Sequence, residues 1–202
     1  MADHKRRLHR ALRWGLGSAG VVGVLLVVWL VWTRTYHFAE VRPGVLYRDG
    51  VRSMREFENT IGKAGIRTVI MLNDDAEVKR EPFKTELEFC RQRGIQLVRI
   101  PIAPGQRPET QQVQKFLQVL DEKGNWPVLV HCAQGVRRTG MMAAAYQMTV
   151  MGWDKQRAKA EVMLWGRKPD RLDDVRGFID DYDPVGRSVG NEHVIKRGVD
   201  AD

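Results

Sequence analysis

Only two cysteines, Cys90 and Cys132, occur in the 202 residues of this chain. Two thiols cannot build the disulfide framework of a small secreted fold. With no CxxC pair and no cysteine–histidine cluster, they do not spell a zinc site either. Internal repeats and low-complexity tracts are also absent, which excludes solenoids and biased-composition scaffolds. A basic surface is lacking too, although the formal net charge is +8. Lys5, Arg6, Arg7, Arg10 and Arg13 against Asp3 place +4 of it in residues 1–13. The remainder is too thin for the basic face of a nucleic-acid binder, so no nucleic-acid partner is expected.

A second absence is of charge. Residues 14–33, WGLGSAGVVGVLLVVWLVWT, contain no ionisable side chain. Twenty residues at about 1.5 Å rise per residue span about 30 Å, the thickness of a bilayer's hydrocarbon core. Trp14 marks one end and Trp29 and Trp32 the other, as interfacial tryptophans do. No small-x-small cleavage site follows, so the run reads as a transmembrane anchor rather than a removed signal. The leader is more basic than the far flank, where Arg34 and Arg42 face Glu40. The positive-inside bias then puts the N-terminus in the cytoplasm and leaves the side of the folded part to that bias alone.

From residue 39 the chain alternates between strand and helix signals. GVLYRDG (44–50), AGIRTVIMLN (64–73), IQLVRIPI (95–102) and WPVLVHC (126–132) read as strands. Between them, Ser53 with Glu56 opens a helix over about 53–63, and Gly94 closes another over 81–93. Further helices are expected over about 109–123, from Arg138 to about Met151, from Asp154 to about Gly166, and over about 171–181. The pattern is that of an α/β domain over 39–184, with a central, largely parallel sheet flanked by helices. It is preceded by the leader 1–13 and the anchor 14–33, and followed by a tail, 185–202, with little to bury.

The chemistry is concentrated in VLVHCAQGVRRTGMM (128–142). A buried strand ends there, and a helix begins near Arg138. The glycine-containing loop between them turns N–H groups inward, and the helix N-terminus adds positive potential, which makes an anion site. Cys132 at the foot of this loop is expected to be a thiolate, because helix N-termini and nearby cations lower a thiol's pKa. Arg138 offers a planar fork that matches two phosphate oxygens. Ala133, Gln134, Gly135, Val136, Arg137 and Arg138 are the expected phosphate-binding residues. Cys132 and Arg138 are the expected catalytic pair, with a cysteinyl-phosphate intermediate. Thr139 is placed to assist the thiolate's departure, His131 to hold the backbone at Cys132, and Gly140 to let the first helical turn pack closely. No cofactor and no metal are needed for this chemistry.

HCAQGVRRTG resembles the HCxxGxxRTG signature of cysteine-dependent protein tyrosine and dual-specificity phosphatases. Shorter Cys-x5-Arg loops also occur in rhodanese-like and arsenate-reductase-like proteins, but the Arg-Thr-Gly and its late position favour the phosphatases. LYRDG, AGIRTVIMLN, CRQRGIQLVRIPI and WPVLVHC are similar to the core segments of the compact, atypical dual-specificity branch. The resemblance implies a phosphatase acting on phosphorylated proteins or small phosphate substrates. It also implies an aspartate general acid on a loop some thirty residues before the cysteine. That segment, RIPIAPGQRP (99–108), has no carboxylate. Glu109, Asp74 and Asp75 are the remaining candidates. Their plainer readings are a helix-start charge and a solvated turn. Phosphoinositide-directed relatives often carry lysines where Ala133 and Val136 stand, which argues against a multiply phosphorylated lipid. Hydrolysis of inositol phosphates or phosphoanhydrides, and a phosphate-binding pseudophosphatase, stay open as alternatives. Cys90 and Met141, Met142 and Met148 are read as core, and Arg48 as the ion-paired end of a strand.

Overall fold

The structure, a computed structural model, describes residues 22–26, 28–30, 35–165 and 172–184. Residues 22–26 and 28–30 of the apolar run are helical with exposed side chains. The rest of 14–33 lies outside the described residues, as do the leader 1–13 and the tail 185–202. Among the described residues no helix is long and apolar enough to cross a membrane.

Five strands form one sheet: β1 (Ala39–Arg42), β2 (Leu46–Gly50), β3 (Thr68–Met71), β4 (Gln96–Arg99) and β5 (Val128–Cys132). Their order is β1-β2-β5-β3-β4. β2, β5, β3 and β4 are mutually parallel, while β1 pairs antiparallel with β2 at the edge. The sequence pattern did not reveal β1. Its residues show no apolar alternation, and only Val41 of the four is buried.

The helices are α1 (Met54–Ala64), α2 (Phe83–Arg93), α3 (Thr110–Asp121), α4 (Arg137–Val150), α5 (Lys155–Met163) and α6 (Asp173–Asp181). Their ends follow the expected signals. Ser53 accepts from the Glu56 N–H at 3.3 Å, and Gly65 and Gly94 close α1 and α2 in the left-handed conformation.

Period-2 alternation along each strand divides the core in two. Val128 and Val130 of β5 join Leu46, Ile70 and Leu72 under α3, α4, α5 and α6. Leu129 joins Tyr47, Val69 and Met71 on the opposite face, with Phe57 of α1 and Phe83 and Cys90 of α2. Burying each such side chain contributes about 1.5–3 kcal/mol. Met141, Met142 and Met148 are buried in the first cluster.

β5 is therefore central and covered on both faces. The chain steps outward from β3 to β4 and then returns to β5, so the carboxyl end of β5 lies at a reversal of strand order. Such switch points open the crevices in which parallel sheets bind ligands.

Candidate active site

The last residue of β5 is Cys132, and α4 begins five residues later at Arg137. The loop between them curls over its own thiol. The Gly135 N–H donates to Cys132 Sγ at 3.2 Å. Gly135 holds φ +67, and a Cβ there would lie 2.5 Å from the Asp49 carbonyl oxygen, so only glycine fits. The end of β2 forms the wall behind the loop, since Gly50 is in register with Cys132. A Cβ on Gly50 would come within 2.6 Å of the Gln134 backbone. Gly140 is different. A Cβ there would meet Arg48 and Val162 at 3.7 Å, an ordinary contact, so close packing does not require glycine at that position.

Burial by itself would push the Cys132 thiol up. The charge of Arg138, the Thr139 hydroxyl and the N–H groups of Thr139 and Gly135 outweigh it and hold the thiol below its usual value. Cys90 shows the contrast. Burial and the nearby Glu86 raise its thiol to about 12, and both cysteines are free.

Arg138 is nearly buried and held from several sides. Its Nη1 donates to Glu77 Oε2 at 2.5 Å and to the Ile102 carbonyl at 3.0 Å, with the Leu72 carbonyl at 3.4 Å. Its Nη2 donates to Glu77 Oε1 at 2.8 Å. A guanidinium has five N–H donors, so this count leaves the Nε–Nη2 edge for an oxyanion. Burial opposes ionisation of Glu77, but the Arg138 bonds and the Asp74 backbone N–H prevail, and its carboxyl stays below the usual range.

Arg48 is fully buried beneath the loop. Its Nη2 donates to the Gly135 carbonyl at 2.8 Å, its Nη1 faces Glu161 at 3.2 Å, and its guanidinium lies 4.5 Å from the Trp165 ring. The ion pair expected at this strand end is present, but it braces the loop as well as the strand.

His131 departs from its expected place. Successive strand residues point to opposite faces, so its ring lies behind the sheet rather than at the Cys132 backbone. There Nε2 is 2.7 Å from Glu86 Oε1, with both side chains fully buried. The neighbouring Asp49 accepts from the Gly50 N–H at 2.8 Å and from the Thr60 hydroxyl. Burial raises Asp49 to about 7. Burial opposes the charge on His131, but Glu86 above all, with Cys132 and Asp49, raises its pKa.

The family model for a DSP-PTPase phosphatase fused to NAD+ kinase matches residues 44–173, well over half of the chain. The chain belongs to this phosphatase family. The dual specificity protein phosphatase TpbA of Pseudomonas aeruginosa is 45% identical over 58 residues, covering 29% of this chain and 26% of TpbA. The chain thus matches about a quarter of the length of that curated relative. Among solved structures, the core catalytic domain of the PP-IP phosphatase Siw14 from S. cerevisiae, in complex with citrate, superposes with a TM-score of 0.62. Identity is 21%, over 74% of this chain and 86% of that one. TpbA from P. aeruginosa in complex with pTyr superposes with a TM-score of 0.58 at 22% identity, over 74% and 86% of the two chains. Both share the fold of this phosphatase domain.

Within the phosphatase the three candidate acids occupy distinct places. Glu109 caps α3 in a reciprocal box with Gln112, whose Oε1 accepts from the Glu109 N–H at 2.7 Å. Asp75 is exposed and pairs with Arg99 at 2.9 Å. Asp74 uses Oδ1 to cap the following turn, accepting from the Ala76 and Glu77 N–H groups at 3.0 and 2.8 Å. Its charge also acts on Arg138. Arg137 turns out of the loop onto α6, where its Nε and Nη2 donate to Asp174 Oδ2 at 2.9 and 2.5 Å.

Sequence reading missed Glu77, Arg48's hold on the loop, Gly50 and the Glu86–His131 pair. Only the alternation of LYRDG could have signalled part of this, by placing a charged residue on a buried strand. Tyr36 and His37, ahead of the domain start read at 39, also contact the loop at Gln134.

Proposed function

We propose that this chain is a membrane-anchored, cysteine-dependent phosphatase that removes phosphate from phosphotyrosine in proteins, and also from phosphoserine and phosphothreonine. The carrying observation is the Cys132 thiol, which despite its burial is held below its usual pKa by the Arg138 charge, the Thr139 hydroxyl and the N–H groups of Thr139 and Gly135. The Cys132 thiolate attacks phosphorus, forming the S–P bond as the P–O bond to the leaving group breaks. The loop N–H groups and the Nε–Nη2 edge of Arg138 stabilise the equatorial oxygens. Water then cleaves the S–P bond, and the Thr139 hydroxyl eases departure of the thiolate.

Asp74 is our preferred general acid. Its Oδ1 is used by the turn, and its charge reaches the phosphate clamp. The anchor reading is supported by the uncharged run 14–33 and the basic leader. Charge bias puts the N-terminus in the cytoplasm. Reporter fusions at each end of the run test that orientation.

One observation favours a second reading, hydrolysis of inositol phosphates or phosphoanhydrides. The segment 99–108 has no carboxylate, and anhydride leaving groups need less help from an acid. A pure phosphate-binding role is opposed by the intact Cys132, Arg138 and Thr139.

The test is turnover by the full chain of p-nitrophenyl phosphate, a phosphotyrosine peptide and an inositol pyrophosphate, beside Cys132→Ser. Phosphotyrosine turnover lost in the serine variant and insensitive to chelator is expected. Full activity in Cys132→Ser would overturn the mechanism. Turnover of the pyrophosphate alone would select the second reading.

A further inference from the structure

The four residues Thr35–Phe38, which follow the apolar run, are half-buried. Two of them, Tyr36 and His37, contact the phosphate loop directly, while Phe38 stacks on Tyr47 at 5.8 Å. Tyr36 gives its carbonyl to the Gly50 N–H at 2.8 Å and its hydroxyl to Gln134 Oε1 at 3.0 Å. His37 Nδ1 lies 2.7 Å from the Gln134 carbonyl oxygen. A carbonyl can only accept, so Nδ1 carries the proton. The two rings stack at 4.1 Å, and Arg52 lies 4.3 Å from the Tyr36 ring. His37 is also the one non-glycine residue with positive φ, +60, among the described residues. Such a conformation persists only where its surroundings enforce it.

The contact with Gln134 has a direct consequence for the nucleophile. The Gln134 C=O and the Gly135 N–H belong to one planar trans peptide, so they point in opposite directions. His37 holds the carbonyl outward. The N–H is thereby turned inward, where it donates to Cys132 Sγ at 3.2 Å. Arg48 does the same for the next peptide, taking the Gly135 carbonyl at 2.8 Å. Two successive peptides of the loop are thus pinned from outside, one by a buried arginine and one by the segment that enters the domain.

We propose that His37, supported by Tyr36, is a positioning residue for catalysis: it fixes the Gln134–Gly135 peptide so that its N–H serves the Cys132 thiolate and then the phosphate. The inference rests on the phosphatase reading of the site but not on its natural substrate. It makes the entering segment part of the active site, so that whatever holds residues 35–38 also governs the loop.

The experiment uses the full chain with three substitutions at position 37. His37→Gly relieves the positive φ but removes the donor. His37→Ala removes the donor and keeps the strain. His37→Asn keeps a donor where Nδ1 stands and tolerates the left-handed conformation. Two readouts need no turnover: inhibitor-type binding of vanadate, and the pH dependence of Cys132 alkylation by iodoacetamide. They separate this inference from the substrate question.

His37→Gly and His37→Ala should weaken vanadate binding about three- to tenfold, the worth of one net hydrogen bond. Both should move the alkylation midpoint to higher pH, and His37→Asn should restore both values to within about twofold. A His37→Gly variant that is folded, with vanadate affinity and alkylation profile equal to the parent, overturns the proposal. Should the position 37 variants fail to fold, Tyr36→Phe decides. A smaller shift in the same direction supports the proposal, and an unchanged profile overturns it.

Discussion

Glu77→Gln probes the pair that aims Arg138. Glu77 gives both carboxylate oxygens to the guanidinium, at 2.5 and 2.8 Å, and about four-fifths of its side chain is shielded. Glutamine is isosteric but neutral. One of its two terminal atoms becomes a donor facing a donor, so one charge-assisted bond is lost and the other weakened. A bond to a charged group contributes about 1.5–3 kcal/mol net. Partial exposure of Glu77 argues for the lower end, so a cost of about 1–2 kcal/mol to stability is expected. If the same energy is withdrawn from the alignment of Arg138 in the transition state, kcat falls about 5- to 30-fold.

The thiol should respond in the opposite sense. With the Glu77 charge gone, the Arg138 charge acts on Cys132 undiminished. The thiol pKa should then fall further, and alkylation should persist to lower pH. The assays are p-nitrophenyl phosphate kinetics, thermal denaturation and the pH profile of iodoacetamide labelling. A lowered kcat with a thiol midpoint displaced downward is the expected combination. A kcat within twofold of the parent, or a midpoint that moves upward, refutes the positioning argument.

Other perturbations address separate parts of the site. Gly135→Ala forces φ +67 on an L-residue and sets a Cβ 2.5 Å from the Asp49 carbonyl. Strain alone costs about 1–2 kcal/mol, and vanadate binding should fall at least tenfold. Asp49 is raised to about 7 when folded, so the unfolded chain ionises first. Its contribution to stability is complete below about pH 4 and is lost as pH rises through about 7. Asp49→Asn should flatten that decline in denaturant midpoints between pH 4 and 7, and an unchanged slope would count against the assignment. Among Asp74→Ala, Asp75→Ala and Glu109→Ala, only the first should abolish the alkaline limb of the pH–rate profile, with a kcat loss of about 10²-fold or more on alkyl phosphates. Glu109→Ala should instead lower thermal stability by about 1 kcal/mol through the lost cap.

The linear sequence carried the local features. The spacing of cysteine, glycine and arginine between an apolar run and a helix was legible because a strand–loop–helix turn is built from consecutive residues. Its chemistry depends on the backbone of that one segment. The parallel strands and their helices were legible for the same reason, since hydrophobic period and glycine stops act within a few residues. β1 escaped because an edge strand with one buried side chain has no alternation to read.

Tertiary structure decided everything that acts on the loop from a distance. Glu77 precedes Arg138 by 61 positions, Arg48 precedes Gly135 by 87, and His37 precedes Gln134 by 97. None carries a local mark of its role. Each becomes a partner only because the sheet order sets β2 and β3 on either side of β5 and brings their carboxyl ends to one rim. Strand alternation, applied to two adjacent residues, also sent His131 to the far face while leaving Cys132 under the loop. The sequence by itself determined which residues are candidates for the chemistry. The packing determined how those residues are charged and aimed, because screening by burial and the reach of a hydrogen bond depend on distance in space and not along the chain.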